Sequence, residues 1–325
     1  MKRLILLLTV MFSMIWSAED LAAHEPLDND SVAVEAPREW TPRPWTLDLF
    51  MGLDFNYRDI WLNDNRVFDL LINLTPGVKW RLPYRWEIAA QVMVPVVNQY
   101  GDYYKHVRLN MASVSKQMAI GSRWKTKLSA GLFSAERYGI DWKNMVIINR
   151  WLAMTAQIGL TGHCYLGNGW TASTMKRISA IAGPEVYLRP WDTQIALRGG
   201  RFVYGDYGVE LEGFRHFRHV SVGVYGSYSN KGKENAGFKV VVMLPPYKRH
   251  RRAVNFRPAS AFRLTYSAEA ESRANMNYMT DPEENERTGW FDRDLLPWGI
   301  DLKQPADFTE ATPKSKQNKK TTTDR

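Results

Sequence analysis

Trp45-Thr46-Leu47-Asp48-Leu49-Phe50-Met51-Gly52-Leu53-Asp54-Phe55-Asn56-Tyr57 carries an apolar side chain at every odd position and mostly small or polar ones between them. Side chains on an extended strand point to alternate faces, so this stretch reads as a strand with one greasy and one wet side. It is longer than the roughly five or six residues of an average soluble strand, and long enough to cross a bilayer at a tilt.

The alternation recurs downstream. Phe68, Leu70, Ile72, Leu74, Val78, Trp80 and Leu82 share one face, opposite Asp69, Asn73, Thr75, Gly77, Lys79 and Arg81. Ile88, Ala90, Val92, Val94 and Val96 then stand opposite Glu87, Ala89 and Gln91. Similar segments follow near 105–119, 124–132, 138–148, 154–161, 170–188, 194–203, 208–217, 220–225 and 238–244. Short connections are expected near Pro83, Gly121, Arg150, Pro190 and Arg218, and longer ones at 58–65, 97–104, 163–169 and 230–235. Short turns on one side and longer loops on the other are the habit of outer-membrane barrels. Trp80, Tyr84 and Trp86 crowd the first short turn, where an interfacial girdle would lie. The expected fold class is therefore all-β: an antiparallel transmembrane β-barrel of about twelve strands, ten to fourteen being the range. A secreted β-sandwich would alternate too, but with shorter strands and aromatics in a central core. Because the chain finishes in a basic, threonine-rich tail, the closing strand is expected to be internal, ending near Leu244 or Tyr266.

The flanks fit export. Met1-Lys2-Arg3, an apolar run from Leu4 to Trp16 and then Ser17-Ala18-Glu19-Asp20 read as a secretory leader within residues 1–23. Cleavage after Ala18 and after Ala23 both remain open. Residues 24–44 are polar and punctuated by Pro37, Pro42 and Pro44, which predicts a periplasmic lead-in to a barrel over 45–270. Residues 271–325 mix charges with Pro282, Pro297, Pro305 and Pro313 and are expected to form a loosely ordered periplasmic tail. The predicted location is the outer membrane of a Gram-negative bacterium, with outer-membrane lipid as the first partner. No stretch of 18 apolar residues follows the leader, which excludes a helical inner-membrane protein. Cys164 is the single cysteine, so no internal disulfide framework exists.

The formal net charge is +9 across 325 residues. A nucleic-acid partner is not expected of an exported chain. Lys248, Arg249, Arg251 and Arg252 form a basic turn, expected to be periplasmic, where it could meet an acidic polymer or a periplasmic export protein.

A family resemblance rests on several segments. The chain reads Gly-Pro-Glu-Val-Tyr-Leu-Arg-Pro from Gly183 and carries Arg137-Tyr138-Gly139-Ile140-Asp141 and Gly159-Leu160-Thr161-Gly162. Its strongest piece is the hairpin with Arg201, Phe202, Tyr204, Gly205, Asp206 and Gly208, followed by Arg215-His216-Phe217 and Gly237-Phe238 through Pro245-Pro246. Over roughly residues 45–270 it resembles the YjbH family of outer-membrane exopolysaccharide proteins. That resemblance implies a barrel working with a capsule or exopolysaccharide secretion system. This chain departs from the larger members in being considerably shorter and in lacking a lipoprotein cysteine. Read for itself, the hairpin is a tight turn of Gly205, Asp206 and Gly208, with Tyr204 and Tyr207 as flanking interfacial anchors.

If the wet faces line a lumen, Asp48, Asp54, Asp69, Lys79, Arg81, Glu87, Lys125, Lys127, Arg198, Glu210 and Glu212 bring charges of both signs into it. Such a set can line a wet channel or close on itself as a plug, since about twelve strands lie between filled and open barrels. The function expected is thus non-enzymatic participation in exopolysaccharide or capsule export, with a general small porin or structural barrel as the alternative. A second alternative is enzymatic. His219 and Ser221 lie two apart and resemble the His-x-Ser pair of outer-membrane lipid A deacylases, with Glu210 or Glu212 as the orienting acid. The other histidines have no metal-ligand spacing, and no glycine-rich phosphate loop opens a helix, so neither metal nor cofactor is expected.

Overall fold

A computed structural model describes residues 45–59, 68–121, 123–149, 151–217, 219–231, 234–244, 253–268, 276–284 and 290–291. The leader, the lead-in, the basic turn at 248–252 and most of the tail lie outside the described residues.

The chain is a closed meander. Strand β1 (Thr46–Asp59) pairs antiparallel with β2 (Phe68–Arg81), and the ladder continues through β3 (Trp86–Asn98), β4 (Arg108–Ile120), β5 (Trp124–Phe133), β6 (Arg137–Ile147) and β7 (Leu152–Gly167). A short β8 (Gly169–Ala172) pairs only with the end of β7 and stands off the path. The ladder resumes with β9 (Arg177–Leu188), β10 (Thr193–Arg201), β11 (Tyr207–His216), β12 (Val220–Ser229) and β13 (Asn235–Met243). The last wall strand is broken into β14 (Val254–Pro258) and β15 (Ala261–Ser267). Both pieces run parallel to β1, from Leu47↔Val254 to Arg58↔Ser267, and this seam closes a barrel of 13 strands.

The parallel seam follows from the count. An antiparallel meander with an odd number of strands must return its last strand in the direction of its first. The seam strand is Ala261–Ser267 rather than the segment ending at Leu244, the other position open to the sequence. The break falls at Pro258, whose ring nitrogen cannot donate to a ladder. Between Met51↔Pro258 and Asp54↔Arg263 the seam strand gains residues over β1, so Ala259 and Ser260 bulge.

The sidedness is compatible with a membrane barrel. Inward positions are polar: Ser113, Lys127, Asp141, Lys143, Gln157 and Thr161 are all buried. Outward positions are apolar and exposed, among them Leu128, Ile140, Ile158, Leu160, Leu197 and Leu211. In water such a surface would carry a large hydrophobic penalty, whereas against lipid it is the favoured arrangement. At the end where β1 starts, Trp45, Trp80, Tyr84, Trp86, Trp124, Trp151, Trp191 and Phe217 are all exposed. They form the girdle expected at a headgroup layer.

That near end carries the tight connections at 82–85 and 189–192. The far end carries the longer connections at 99–107 and 168–176, but also tight turns at 134–136 and 202–206. Length thus alternates less cleanly than the sequence suggests. At 134–136 the turn is tight because Ala135 and Glu136 take left-handed backbone angles, with φ of 55° and 57°.

Candidate functional site

The lumen is not empty. Residues 276–284 and 290–291 pass inside the wall, from the far end to the near end. Ser134 in the far-end turn clasps Met279 twice: Ser134 N–H donates to Met279 O at 3.0 Å, and Met279 N–H donates to Ser134 Oγ at 2.7 Å. Val203 N–H donates to Met276 O at 3.4 Å. Deeper in, the Tyr278 ring stacks on Phe133 at 5.4 Å and packs with Val203, while its hydroxyl donates to Asp141 at 2.8 Å. At the near end Phe291 is buried with Met145, Ala153 and Tyr187. Trp290 sits between Lys143, at 5.3 Å, and Arg198, at 5.4 Å. For these residues the expectation of a loosely ordered tail is corrected: they form part of the barrel's core.

Charge matching explains why the segment sits there. Asp281 accepts from Lys79 at 2.6 Å and lies 3.8 Å from Lys127. Glu284 accepts from Lys143 at 2.9 Å through both oxygens. Glu283 is bound by both terminal nitrogens of Arg257 and also accepts from the bulged Ser260 N–H at 3.2 Å. Lys79, Lys127, Lys143 and Arg257 of the wall are each thereby given a carboxylate. A buried charge without such a partner costs several kcal/mol, so wall and segment hold each other in register.

Charged side chains of the wall strands are tied to one another. Asp48 accepts from Arg81 at 2.6 Å, Arg257 at 3.2 Å and Asn255 at 3.0 Å, which ties the seam together. Asp54 accepts from Asn56 and Asn73, and Asp69 is buried. Lys79 also meets Glu87 at 3.1 Å. Arg198 lies 2.9 Å from Glu212, 3.7 Å from Glu185 and 3.9 Å from Glu210, and Lys239 caps Glu212. Lys125 and Lys127 are buried on the same inner face. These charges mostly neutralise one another or the lumen segment.

The family-like hairpin folds inward. Gly205 turns the chain with φ of 75°, Phe202 N–H donates to Asp206 O at 2.8 Å, and Ser229 Oγ donates to the buried Asp206 carboxylate at 2.7 Å. Arg201 and Tyr207 end the flanking strands and pair with each other, and Gly208 pairs with Gly200. Phe202 and Val203 are buried. Tyr207 is exposed as expected, but Tyr204 turns toward the lumen, a correction of its expected interfacial role, because Arg177 and Arg137 draw its ring inward at 4.7 Å and 6.0 Å.

In place of the His219–Ser221 pair of the enzymatic alternative, Ser221 contacts a different histidine. Ser221 Oγ lies 2.7 Å from Nδ1 of His216, whose Nε2 lies 3.0 Å from Gln194 Oε1. Gln194 in turn donates to Glu185 at 2.6 Å. The relay faces the barrel interior, with Ser221 fully buried, away from any lipid substrate.

Above the lumen segment, a cavity of about 1150 Å³ opens among the far-end connections. The loop at 99–107 leans over it, stacking Tyr103 on Tyr165 at 4.9 Å and donating the Tyr103 hydroxyl to Glu136. Partial burial, and then that carboxylate, hold the Tyr103 phenol above its usual range. Arg108, Arg137 and Arg177 line the cavity, with Tyr104 and Tyr204 beside them. Sequence reading missed Arg108 and Arg137 because each lies at the very start of a strand, where alternation is weakest. Among the described residues no group of three or more His, Cys, Asp or Glu is placed to hold a metal ion. Comparison of the chain with protein-family models, with curated proteins and with solved structures finds no match.

Proposed function

We propose that this chain is a non-enzymatic outer-membrane barrel taking part in exopolysaccharide or capsule export, as its resemblance to the YjbH family implies. The observation that carries the membrane part is the inverted sidedness: an apolar exposed wall, an aromatic girdle at the near end and a polar, charged interior. The far-end cavity, walled by tyrosine, arginine, asparagine and glutamine, supports contact with a saccharide rather than with an apolar ligand.

The lumen segment bears on the rival readings. A general porin needs an open path, and here the acidic stretch 281–284 and the Trp290–Phe291 pair fill the lumen from its middle to the near end. A lipid A deacylase needs its serine at the lipid face, and Ser221 points inward. The reading preferred is a barrel that binds polymer at its far end and is closed by its own chain.

Deletion of the gene from an encapsulated producer, followed by quantification of surface polysaccharide, tests this. A marked fall, restored by the intact gene, is expected, and unchanged polysaccharide overturns the export role. Heat-modifiable gel migration of the membrane fraction tests the barrel independently.

A further inference from the structure

Arg108 is an uncompensated buried charge. Its side chain is 93% buried by the complement of its 7% exposure, yet it makes no carboxylate contact among the described residues. Its Nη2 points to the sulfur of Met93 at 2.7 Å, its guanidinium lies 5.4 Å from the Tyr104 ring centre, and its buried Nη1 has no partner among the described residues. A buried guanidinium normally recruits an acid, since leaving one unpaired costs several kcal/mol. Here the open side is the far-end cavity, which Arg108 lines.

Two further arginines line the same cavity, Arg137 buried and Arg177 exposed. Arg137 is 1% exposed and donates to the Thr161 hydroxyl at 3.1 Å, with the Tyr204 ring beside it. Arg177 lies over the other side of that hairpin, 4.7 Å from the same ring. The acids that line the cavity are already engaged. Glu283 and Glu284 are held by Arg257 and Lys143, Glu136 by the Tyr103 hydroxyl, and Asp54 by Asn56 and Asn73. The arginines therefore keep their positive potential directed into a space of about 1150 Å³.

We propose that the far-end cavity is a binding site for a carboxylate-bearing saccharide, a uronate-containing stretch of polymer, with Arg108 as the residue that takes the carboxylate. Guanidinium matches carboxylate geometry through two parallel N–H donors, and Arg108 stands in the cavity wall with a buried terminal nitrogen that has no partner among the described residues. Tyr104 and the Asn110–Gln91 amide pair, joined at 2.9 Å, lie on the same wall as stacking surface and hydroxyl partners. The saccharide half of this assignment rests on the export reading; the anionic half rests on the arginines alone.

The test uses the full chain in detergent micelles and isothermal titration calorimetry. A tetragalacturonate is the probe, with maltotetraose as its uncharged counterpart and inorganic phosphate as the simple anion. Tetragalacturonate is expected to bind at least about ten-fold more tightly than maltotetraose, and more weakly at high salt, as screening requires. Arg108→Gln should lower that affinity about ten-fold or more, Arg108→Lys less, and the exposed Arg177→Gln also measurably. Because Arg177 is exposed, its variant keeps the test valid if Arg108→Gln does not fold. Equal binding of the two oligosaccharides, or unchanged affinity in both glutamine variants, overturns the proposal. Phosphate competing at the same concentration as tetragalacturonate also overturns it, in favour of a simple anion site. Loss of surface polysaccharide on gene deletion, with no tetragalacturonate binding, removes the ligand and leaves the export reading standing. Binding with unchanged polysaccharide does the reverse.

Discussion

Gly159 and Tyr278 show how closely wall and lumen segment are fitted. A Cβ placed on Gly159 would lie 1.7 Å from the Tyr278 hydroxyl oxygen and 2.9 Å from Ser179 Oγ. The tyrosine ring is stacked on Phe133 and cannot swing away without giving up its bond to Asp141. Gly159→Ala should therefore dislodge Tyr278 and weaken docking of the segment by about 1–3 kcal/mol, the cost of overpacking plus a lost buried hydrogen bond. Hydrogen exchange of residues 276–284 reads this directly. Adding Tyr278→Ala to Gly159→Ala should cost less than the two single changes summed, because the collision is gone. Strict additivity would mean that the two residues do not touch. A neighbouring contrast concerns charge. Asp281→Asn leaves Lys127 buried without an acid and should weaken docking by about 3 kcal/mol. Asp102→Asn, which removes the partner of Lys105 in an exposed loop, should leave exchange and thermal stability unchanged.

At the scale of elements, the wall strands were legible because each, the broken seam strand apart, obeys one rule over nine or more positions. Alternation places Leu128 outward and Lys127 inward whatever the neighbours do. The lumen segment follows no such rule. Its residues adopt neither helix nor strand, and what holds them is matching with distant side chains. The sequence does contain a trace of that matching. Asp281, Glu283 and Glu284 form a compact acidic group, and the inner faces of β5 and β6 offer Lys125, Lys127 and Lys143 to be neutralised. Mixed charge and proline read as disorder because composition carries no information about such partners. The segment's role can be separated from the wall's. A chain ending at residue 268 should still migrate as a heat-modifiable barrel, because every ladder including the seam lies before that point. Its single-channel conductance in planar bilayers should rise at least several-fold over the full chain. Asp281→Asn combined with Glu283→Gln and Glu284→Gln should move conductance in the same direction without shortening the chain. Equal conductance in all three proteins would show that the segment does not block the lumen.

At the scale of the molecule, the strand count decides where the chain ends up. The sequence supports about twelve strands, and an even meander returns both ends of the barrel to one side of the membrane. The broken seam strand makes the count 13, and this parity has a geometric consequence. Trp45 opens β1 at the near end, while Ala268 follows β15 at the far end, where Ala268 N–H donates to Ala236 O at 3.0 Å. Residues 276–284 and 290–291 then lie inside the wall from the far end to the near end, so the odd count and the lumen residues are two halves of one arrangement. One crosses outward by the seam; the other returns inside the wall. The break near Pro258 obscured this in the sequence, because a proline and a two-residue bulge interrupt the alternation that marks every other wall strand. Cysteine labelling of cells checks it. With Cys164 replaced by serine, Ala268→Cys should react with a membrane-impermeant maleimide on intact cells. Trp45→Cys should react only after the outer membrane is permeabilised, as the girdle at its end is expected to face the periplasm. Labelling of both positions from the same side would require an even barrel, and would remove the parallel seam between β1 and β15 from the account.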